Sequence, residues 1–163
     1  MSNITTVILA AGKSTRFNAT TSKLVYPLCG LPIISHVYLV AKKISGKKVI
    51  VVCNKENFKE LKLILKDCIF VIQNQQKGTA DAIEQAKNKI NSKNVLVLFG
   101  DTPLITLSSV KKLIKKFLLS KVKASLIAFK TKKPFGYGRL LLNNNAIEEI
   151  VEEINLNSYQ KKI

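Results

Sequence analysis

Glycine is scarce, 7 of 163 residues, and it is missing where two phosphate-binding loops would need it. Gly12-Lys13-Ser14 copies the end of a Walker A loop, but Val7 stands where the loop's first glycine belongs, which argues against a P-loop. No Gly-x-Gly-x-x-Gly run occurs, so a Rossmann dinucleotide fingerprint has no support. Cys29, Cys53 and Cys68 are an odd number with no Cys-x-x-Cys pair and no histidine nearby. They read as free, buried thiols rather than disulfides or metal ligands. No apolar run approaches the ~18 residues of a membrane span. No basic stretch precedes the first apolar run, as a signal peptide would require, so the expectation is a cytoplasmic protein without a membrane partner.

Acidic residues are few. Ten face 27 basic ones, for a formal net charge of +17. Such a balance ordinarily points to nucleic acid. Here the cations are almost all lysines spread over helix faces, at Lys42-Lys43, Lys59, Lys62, Lys66, Lys111-Lys112 and Lys115-Lys116. Lysine, isoleucine and asparagine are heavily used together, the mark of a biased coding composition. The reading is a solvated Lys-rich surface with non-specific attraction to polyanions at low salt, and no specific nucleic-acid partner. The lone histidine, His36, lies inside a helical pattern and reads as structural.

What is present is an alternation of β-branched apolar runs with helical patterns. It predicts an α/β fold with a doubly wound, mostly parallel sheet covered on both faces. Strands are expected at about Thr5–Ala10, Val49–Cys53, Ile69–Ile72, Val95–Phe99 and Ala124–Phe129. Helices are expected near Pro32–Lys43, from an Asn57 cap to about Lys66, over Thr79–Ile90 with Thr79 as N-cap, and from Ser108 or Ser109 to about Leu119. Gly136–Leu142 and the Asn143–Asn145 turn read as a hairpin. Glu148, Glu149, Glu152 and Glu153 make a local acidic patch. A sheet ending on a hairpin rather than a covering helix reads as incomplete at the C-terminus.

Ligands of open α/β sheets bind at the carboxyl ends of the strands. Four marked segments fall there: Leu9–Arg16 with Lys23, Gln73–Thr79, Gly100–Leu104, and Gly136–Arg139. A small-residue turn after an apolar strand can aim backbone N–H groups at a polyphosphate, with Arg16 and Lys23 neutralising it. Lys23 has a competing reading as an ordinary surface cation. Asp101 follows a buried strand, so its carboxylate sits at the strand tip, where it would suit Mg²⁺ beside phosphate oxygens. The competing reading is a cap on the turn before Pro103. The Gln73 amide can match a base edge, and Gly78 lets backbone approach a base closely.

Taken together, Leu9-Ala-Ala-Gly-Lys-Ser-Thr-Arg16, Ser22-Lys23, Pro27-Leu-x-Gly30-x-Pro32, Gln73, Gly78-Thr79-Ala80, Gly100-Asp101-x-Pro103-Leu104-Ile105, Gly136-Tyr-Gly-Arg139 and Ile150-Val-Glu152-Glu153 run the length of the chain. The chain resembles the uridylyltransferase domain of bifunctional N-acetylglucosamine-1-phosphate uridylyltransferase, within the nucleotidyltransferase superfamily and its nucleotide-diphospho-sugar transferase fold. The resemblance implies one nucleotidyltransferase domain over 1–163, with a nucleotide-binding part to about 130 and a partial sugar-binding part beyond. It implies a Mg²⁺-dependent enzyme whose substrates are UTP and a sugar 1-phosphate, N-acetylglucosamine 1-phosphate. Transfer of UMP would give UDP-N-acetylglucosamine, a cell-wall precursor, and pyrophosphate. By the same resemblance Leu9, Ala10, Ala11 and Gly12 contact the nucleotide through backbone. Arg16 and Lys23 hold the phosphates. Gln73, Gly78 and Thr79 read the uracil. Asp101 binds the metal, with Phe99 and Gly100 beside it, and Gly138 and Glu152 contact the amino sugar.

Departures from the family pattern are Ser14 for glycine, Phe17 for methionine, and Ile154 where Lys and then Asp are usual. The family's two later asparagines, one for the sugar and one for the metal, and its acetyltransferase domain have no counterpart here. This chain alone is therefore expected to turn over slowly or not at all. Two other readings stay open: a related nucleotidyltransferase using CTP or GTP, and a basic non-catalytic module binding nucleic acid.

Overall fold

The computed structural model describes residues 3–12, 22–75, 77–144 and 146–162. The chain divides into two compact units, Met1–Ser125 and Leu126–Ile163.

The first unit is built on a four-stranded sheet of β1 (Ile4–Ala10), β4 (Val49–Cys53), β5 (Ile69–Ile72) and β6 (Asn94–Phe99), ordered β5-β4-β1-β6, with every pair parallel. Parallel strands need crossovers, and the sequence supplies a helix for each. These are α1 (Ile33–Ser45), α2 (Phe58–Ile64) and α3 (Thr79–Ala86), followed after β6 by α4 (Leu107–Leu119). A small hairpin of β2 (Pro27–Leu28) and β3 (Leu31–Pro32), which the sequence pattern did not suggest, leads into α1.

Alternation along β1 decides what each face receives. Ile4, Ile8 and Ala10 join Ile34, Val37 and Ala41 of α1, Leu61 of α2 and Val110 of α4 in one core. Val7 and Ala11 turn to the other face and meet Ile50, Val52 and, from α3, Ala82 and Ala86. The sheet is thus covered on both sides, as expected for doubly wound architecture. The chain fills β1, β4 and β5 in one direction and then crosses back to β6 on the far side of β1. That reversal makes a topological switch point between β1 and β6, the place at which open α/β sheets take their ligands.

Several expectations are corrected. Residues 124–129 form no strand and are exposed, since apolar composition permits a strand without dictating one. Thr106 caps α4, its Oγ1 accepting from Ser109 N at 3.1 Å, so that helix opens at Leu107 rather than at Ser108 or Ser109. Thr79 is the first residue of α3, and Gly78 holds the cap position with φ 105°, a conformation glycine adopts without strain. Asn57 does occupy the N-cap of α2 but makes no capping bond, because its side chain is turned elsewhere. Cys53 is buried and Cys68 partly so, whereas Cys29, in the exposed β2–β3 turn, is not buried at all. His36 is structural, its Nε2 lying 2.9 Å from the Leu28 carbonyl.

The second unit is the expected hairpin, β7 (Arg139–Asn143) against β8 (Ala146–Val151) in antiparallel register. Asn144 turns the corner at φ 49°, and Asn145 lies outside the described residues. The Arg139 guanidinium is buried and gathers the Glu153 carboxylate at 3.1 Å and the carbonyls of Pro134, at 3.0 Å, and Tyr137. Phe129 packs edge-on against Tyr137, ring centroids 5.0 Å apart.

Candidate nucleotide site

Three of the four marked segments line one edge of the first unit, in the order of the strands they follow. Gln73 follows β5, Asn54 follows β4, Ala11 and Gly12 follow β1, and Gly100-Asp101 follow β6. Adjacent strands lie ~4.8 Å apart, so the row from Gln73 to Asp101 spans about 14 Å.

At the β6 end the geometry is tight. Gly100 N donates to Leu9 O at 2.9 Å, which ties the turn after β6 to the end of β1. A Cβ at Gly100 would stand 3.1 Å from that same carbonyl oxygen and 3.5 Å from side-chain carbons of Ile34 and Leu24. The turn is closed by Thr102, whose N and Oγ1 both donate to Phe99 O, at 3.3 and 2.7 Å. The Asp101 side chain takes no part in that closure. Phe99 beside it is exposed.

Lys23 reaches Asp101 from a distant stretch. It opens a single 3-10 turn, Lys23–Val25, capped by Ser22. Leu24 is buried in the core, so the turn is anchored from below and Lys23 is aimed outward. Lys23 Nζ lies 2.6 Å from Asp101 Oδ2, with both side chains more than a third exposed (36% and 41%). A cation and a carboxylate 78 residues apart in sequence thus meet at the carboxyl edge. Arg16, Lys13, Ser14 and Phe17 lie outside the described residues.

Sequence reasoning passed over Asn54 and read Asn57 only as a helix cap. Asn57 Nδ2 donates to Ala10 O at 2.8 Å and Asn54 Nδ2 to Ala11 O at 3.1 Å. The two also clasp each other: Asn54 N donates to Asn57 Oδ1 at 3.1 Å, and Asn57 N to Asn54 Oδ1 at 2.8 Å. Two consecutive carbonyls at the tip of β1 are therefore pinned toward β4, which fixes the plane of the peptides leading into Gly12. An Asn-x-x-Asn spacing after a buried strand was the available signal, and it reads equally as an ordinary helix cap.

At the other end of the row, Gln73 is buried to 5% exposure. Its N–H donates to Cys53 O at 2.8 Å. Its side-chain Nε2 lies 2.6 Å from Asp81 Oδ2 and 3.4 Å from Gly78 O. Gly78 and Thr79 are exposed beside it. In the second unit, Gly138 and Glu152 are neighbours, a Cβ on Gly138 falling 3.1 Å from Val151 O and 3.6 Å from Glu152 Oε2. Among the described residues no group of three acidic, histidine or cysteine side chains is placed to hold a metal unaided. A lone strand-tip carboxylate nevertheless fits Mg²⁺, which binds one or two protein carboxylates and completes its shell with phosphate oxygens and water. No helix among the described residues is long and apolar enough to cross a membrane.

A parallel sheet with its marked loops on the carboxyl edge is a frame that many nucleotide-binding proteins share, nucleotidyltransferases among them. The chain belongs to the MobA-like NTP transferase domain family, which it matches over residues 6–158. It is 41% identical over 163 residues to the bifunctional protein GlmU of Buchnera aphidicola, covering 98% of this chain and 35% of that protein. It is 37% identical over 172 residues to the bifunctional protein GlmU of Campylobacter fetus, covering 100% of this chain and 37% of that protein. The chain thus spans little more than a third of the length of these curated relatives. Among solved structures, one assigned as a glucose-1-phosphate thymidylyltransferase of Bacillus anthracis superposes with a TM-score of 0.82 at 20% identity, over 92% of this chain and 64% of that one. The bifunctional IspDF of Campylobacter jejuni superposes with a TM-score of 0.62 at 22% identity, over 95% of this chain and 39% of that one. Both share the fold.

Proposed function

We propose that this chain is the nucleotide-handling part of a uridylyltransferase that transfers UMP from UTP to N-acetylglucosamine 1-phosphate. The observation that carries this reading is the meeting of Lys23 and Asp101 at the carboxyl edge, 2.6 Å apart, beside the turn that follows β1. The 41% identity to a bifunctional GlmU supports the choice of substrate.

In the proposed reaction an oxygen of the sugar 1-phosphate attacks the α-phosphorus of UTP. A new P–O bond forms as the α–β bond breaks, and pyrophosphate leaves. The backbone of Leu9, Ala10, Ala11 and Gly12 lines the nucleotide, its peptides held by Asn54 and Asn57. Lys23 exchanges its partner from Asp101 to phosphate oxygens, and Arg16 joins it in neutralising charge on the α-phosphate and the leaving group. Asp101, beside Phe99 and Gly100, would hold a Mg²⁺ ion, which would supply positive charge against the phosphates. A related structure of lower similarity was solved in complex with manganese, in keeping with a divalent ion in this fold. Gln73, Gly78 and Thr79 face the uracil, and Gly138 and Glu152 the amino sugar. No covalent enzyme intermediate is required, and the protein contributes alignment and charge neutralisation. A cytoplasmic setting goes with these substrates.

The test is calorimetric titration of UTP with Mg²⁺ into the purified chain and into Asp101→Ala. Binding should be saturable in the first and at least tenfold weaker in the second. The Lys23–Asp101 pair is exposed enough to contribute less than ~1 kcal/mol to stability, so the variant should melt at nearly the same temperature. No UTP binding by the parent chain, or equal binding by Asp101→Ala, counts decisively against the reading. A panel of CTP and GTP in the same experiment separates the related enzymes that use those nucleotides. Binding to nucleic acid that depends steeply on salt but not on Asp101 would instead favour a basic binding module.

A further inference from the structure

We infer that Asp81 is a positioning residue that sets base selectivity, by fixing which end of the Gln73 amide faces the ligand. The inference rests on the uridylyltransferase reading and adds to it a residue outside the set expected to touch the nucleotide.

A primary amide has two chemically opposite ends, a carbonyl that accepts and an NH₂ that donates. Left alone it turns either way, and a site built on it would not distinguish uracil from cytosine. An ionised carboxylate only accepts. Asp81 Oδ2 stands 2.6 Å from Gln73 Nε2, so the amide must keep its nitrogen toward Asp81; the reversed amide would set two oxygens against each other. Gly78 O, 3.4 Å from the same nitrogen, adds a second acceptor on that side. Asp81 is itself steadied by Gln85 one turn on, whose Nε2 donates to Oδ1 at 3.3 Å. Burial to 5% exposure and the backbone N–H bond to Cys53 O at 2.8 Å fix where Gln73 stands, so the sense of its amide is the one choice left to its side-chain partners.

With the nitrogen committed, Oε1 is the end left to meet a base. An acceptor at that point takes the N3–H of uracil. Facing cytosine it meets the N3 lone pair, and a buried polar mismatch of that kind is what specific sites use to reject an analogue. The predicted order is therefore UTP over CTP, with Asp81 as the cause.

The experiment measures dissociation constants for UTP and CTP, with Mg²⁺, on the intact chain and on Asp81→Asn, Asp81→Ala and Asp81→Glu. Asparagine can donate to Gln73 Oε1, and alanine leaves the amide free to turn. Each should therefore cut the UTP-over-CTP ratio about tenfold, chiefly through tighter CTP binding. Asp81→Glu keeps an acceptor-only partner and should retain most of the ratio. A structural role alone would weaken both nucleotides together and leave the ratio intact. A parent chain that prefers UTP, with the ratio unchanged within twofold in folded Asp81→Asn or Asp81→Ala, overturns this inference and leaves the uridylyltransferase reading standing. A parent chain that binds neither nucleotide overturns both.

Discussion

Replacing Asn57 by alanine is the sharpest probe of how the site is held. Asn57 is 3% exposed, and its amide joins three segments: it donates to Ala10 O at 2.8 Å and accepts from Asn54 N at 3.1 Å. Deleting it removes two hydrogen bonds, each contributing about 1 kcal/mol net. It also strands a carbonyl on Ala10, itself 2% exposed, and leaving such a group without a partner adds about 1–3 kcal/mol. The expected loss is about 3–5 kcal/mol, a large part of a typical domain's stability. Asn54 is less buried, so water can replace its bonds, and Asn54→Ala should cost about 1 kcal/mol. Because the two side chains share bonds, the double variant should cost less than the sum. The assay is urea unfolding followed by circular dichroism, since the chain has no tryptophan to report by fluorescence. The midpoint should fall with the slope unchanged. A second variant tests the direction of the bonds. In Asn57→Asp the new carboxylate would face the Ala10 carbonyl, so burial and that oxygen would raise its folded-state pKa above the unfolded value of about 3.9. Its contribution would then be fully present below that pKa and lost as pH rises through the folded value. Asn57→Asp should therefore be closest to the parent in acid and fall toward Asn57→Ala near neutrality. An Asn57→Ala chain within 0.5 kcal/mol of the parent would refute the whole account of a pinned loop.

Three further outcomes are expected. Gly100→Ala places a methyl 3.1 Å from Leu9 O and 3.5 Å from the Ile34 and Leu24 side chains, so the turn after β6 must shift. Thermal melting should show a loss of about 1–3 kcal/mol, with UTP affinity falling beside it. Burial pushes the Cys53 thiol up to about 11, opposed by its own backbone and reinforced by Cys68, and burial likewise pushes Cys68 up to about 11 against the pull of Lys42. Thiols raised in the folded state contribute stability that is present below the ordinary value near 9 and lost as pH rises toward 11. Melting temperature should therefore decline across that window, and Cys53→Ser or Cys68→Ser should flatten the decline. In the native chain at pH 8, mass spectrometry of iodoacetamide adducts should find Cys29 modified first, because it is exposed.

Much of the fold was legible in local pattern. Continuous apolar runs marked β1, β4, β5 and β6. Of these β4 is buried throughout, as a central strand should be. The edge strands β5 and β6 leave Ile69, Val95 and Phe99 exposed, so the Val95–Phe99 run is less buried than its composition implied. The Asn-rich turn and its flanking apolar residues announced the β7–β8 hairpin. Residues 124–129 misled because an apolar run permits a strand without dictating one, and pairing is decided outside the run itself. Within the site, Gly100-Asp101 after a strong strand and Lys23 after a small-residue turn could both be picked out, yet their contact could not. Chemistry-bearing residue types at strand ends are written in the chain, but the strand order that brings two of them together is not.

The sequence by itself determined that the chain alternates strands and helices, and which residues end each strand. Periodicity and composition are local, and each element's needs can be read from its own few residues. Tertiary structure alone decided that β6 lies beside β1, so that Asp101 meets Lys23 at 2.6 Å. It alone turned Asn57 away from its own helix to hold the tip of β1, and set Asp81 against Gln73. Those choices depend on hydrogen bonds between segments far apart in the chain, and such a bond leaves no periodic trace in the residues that make it.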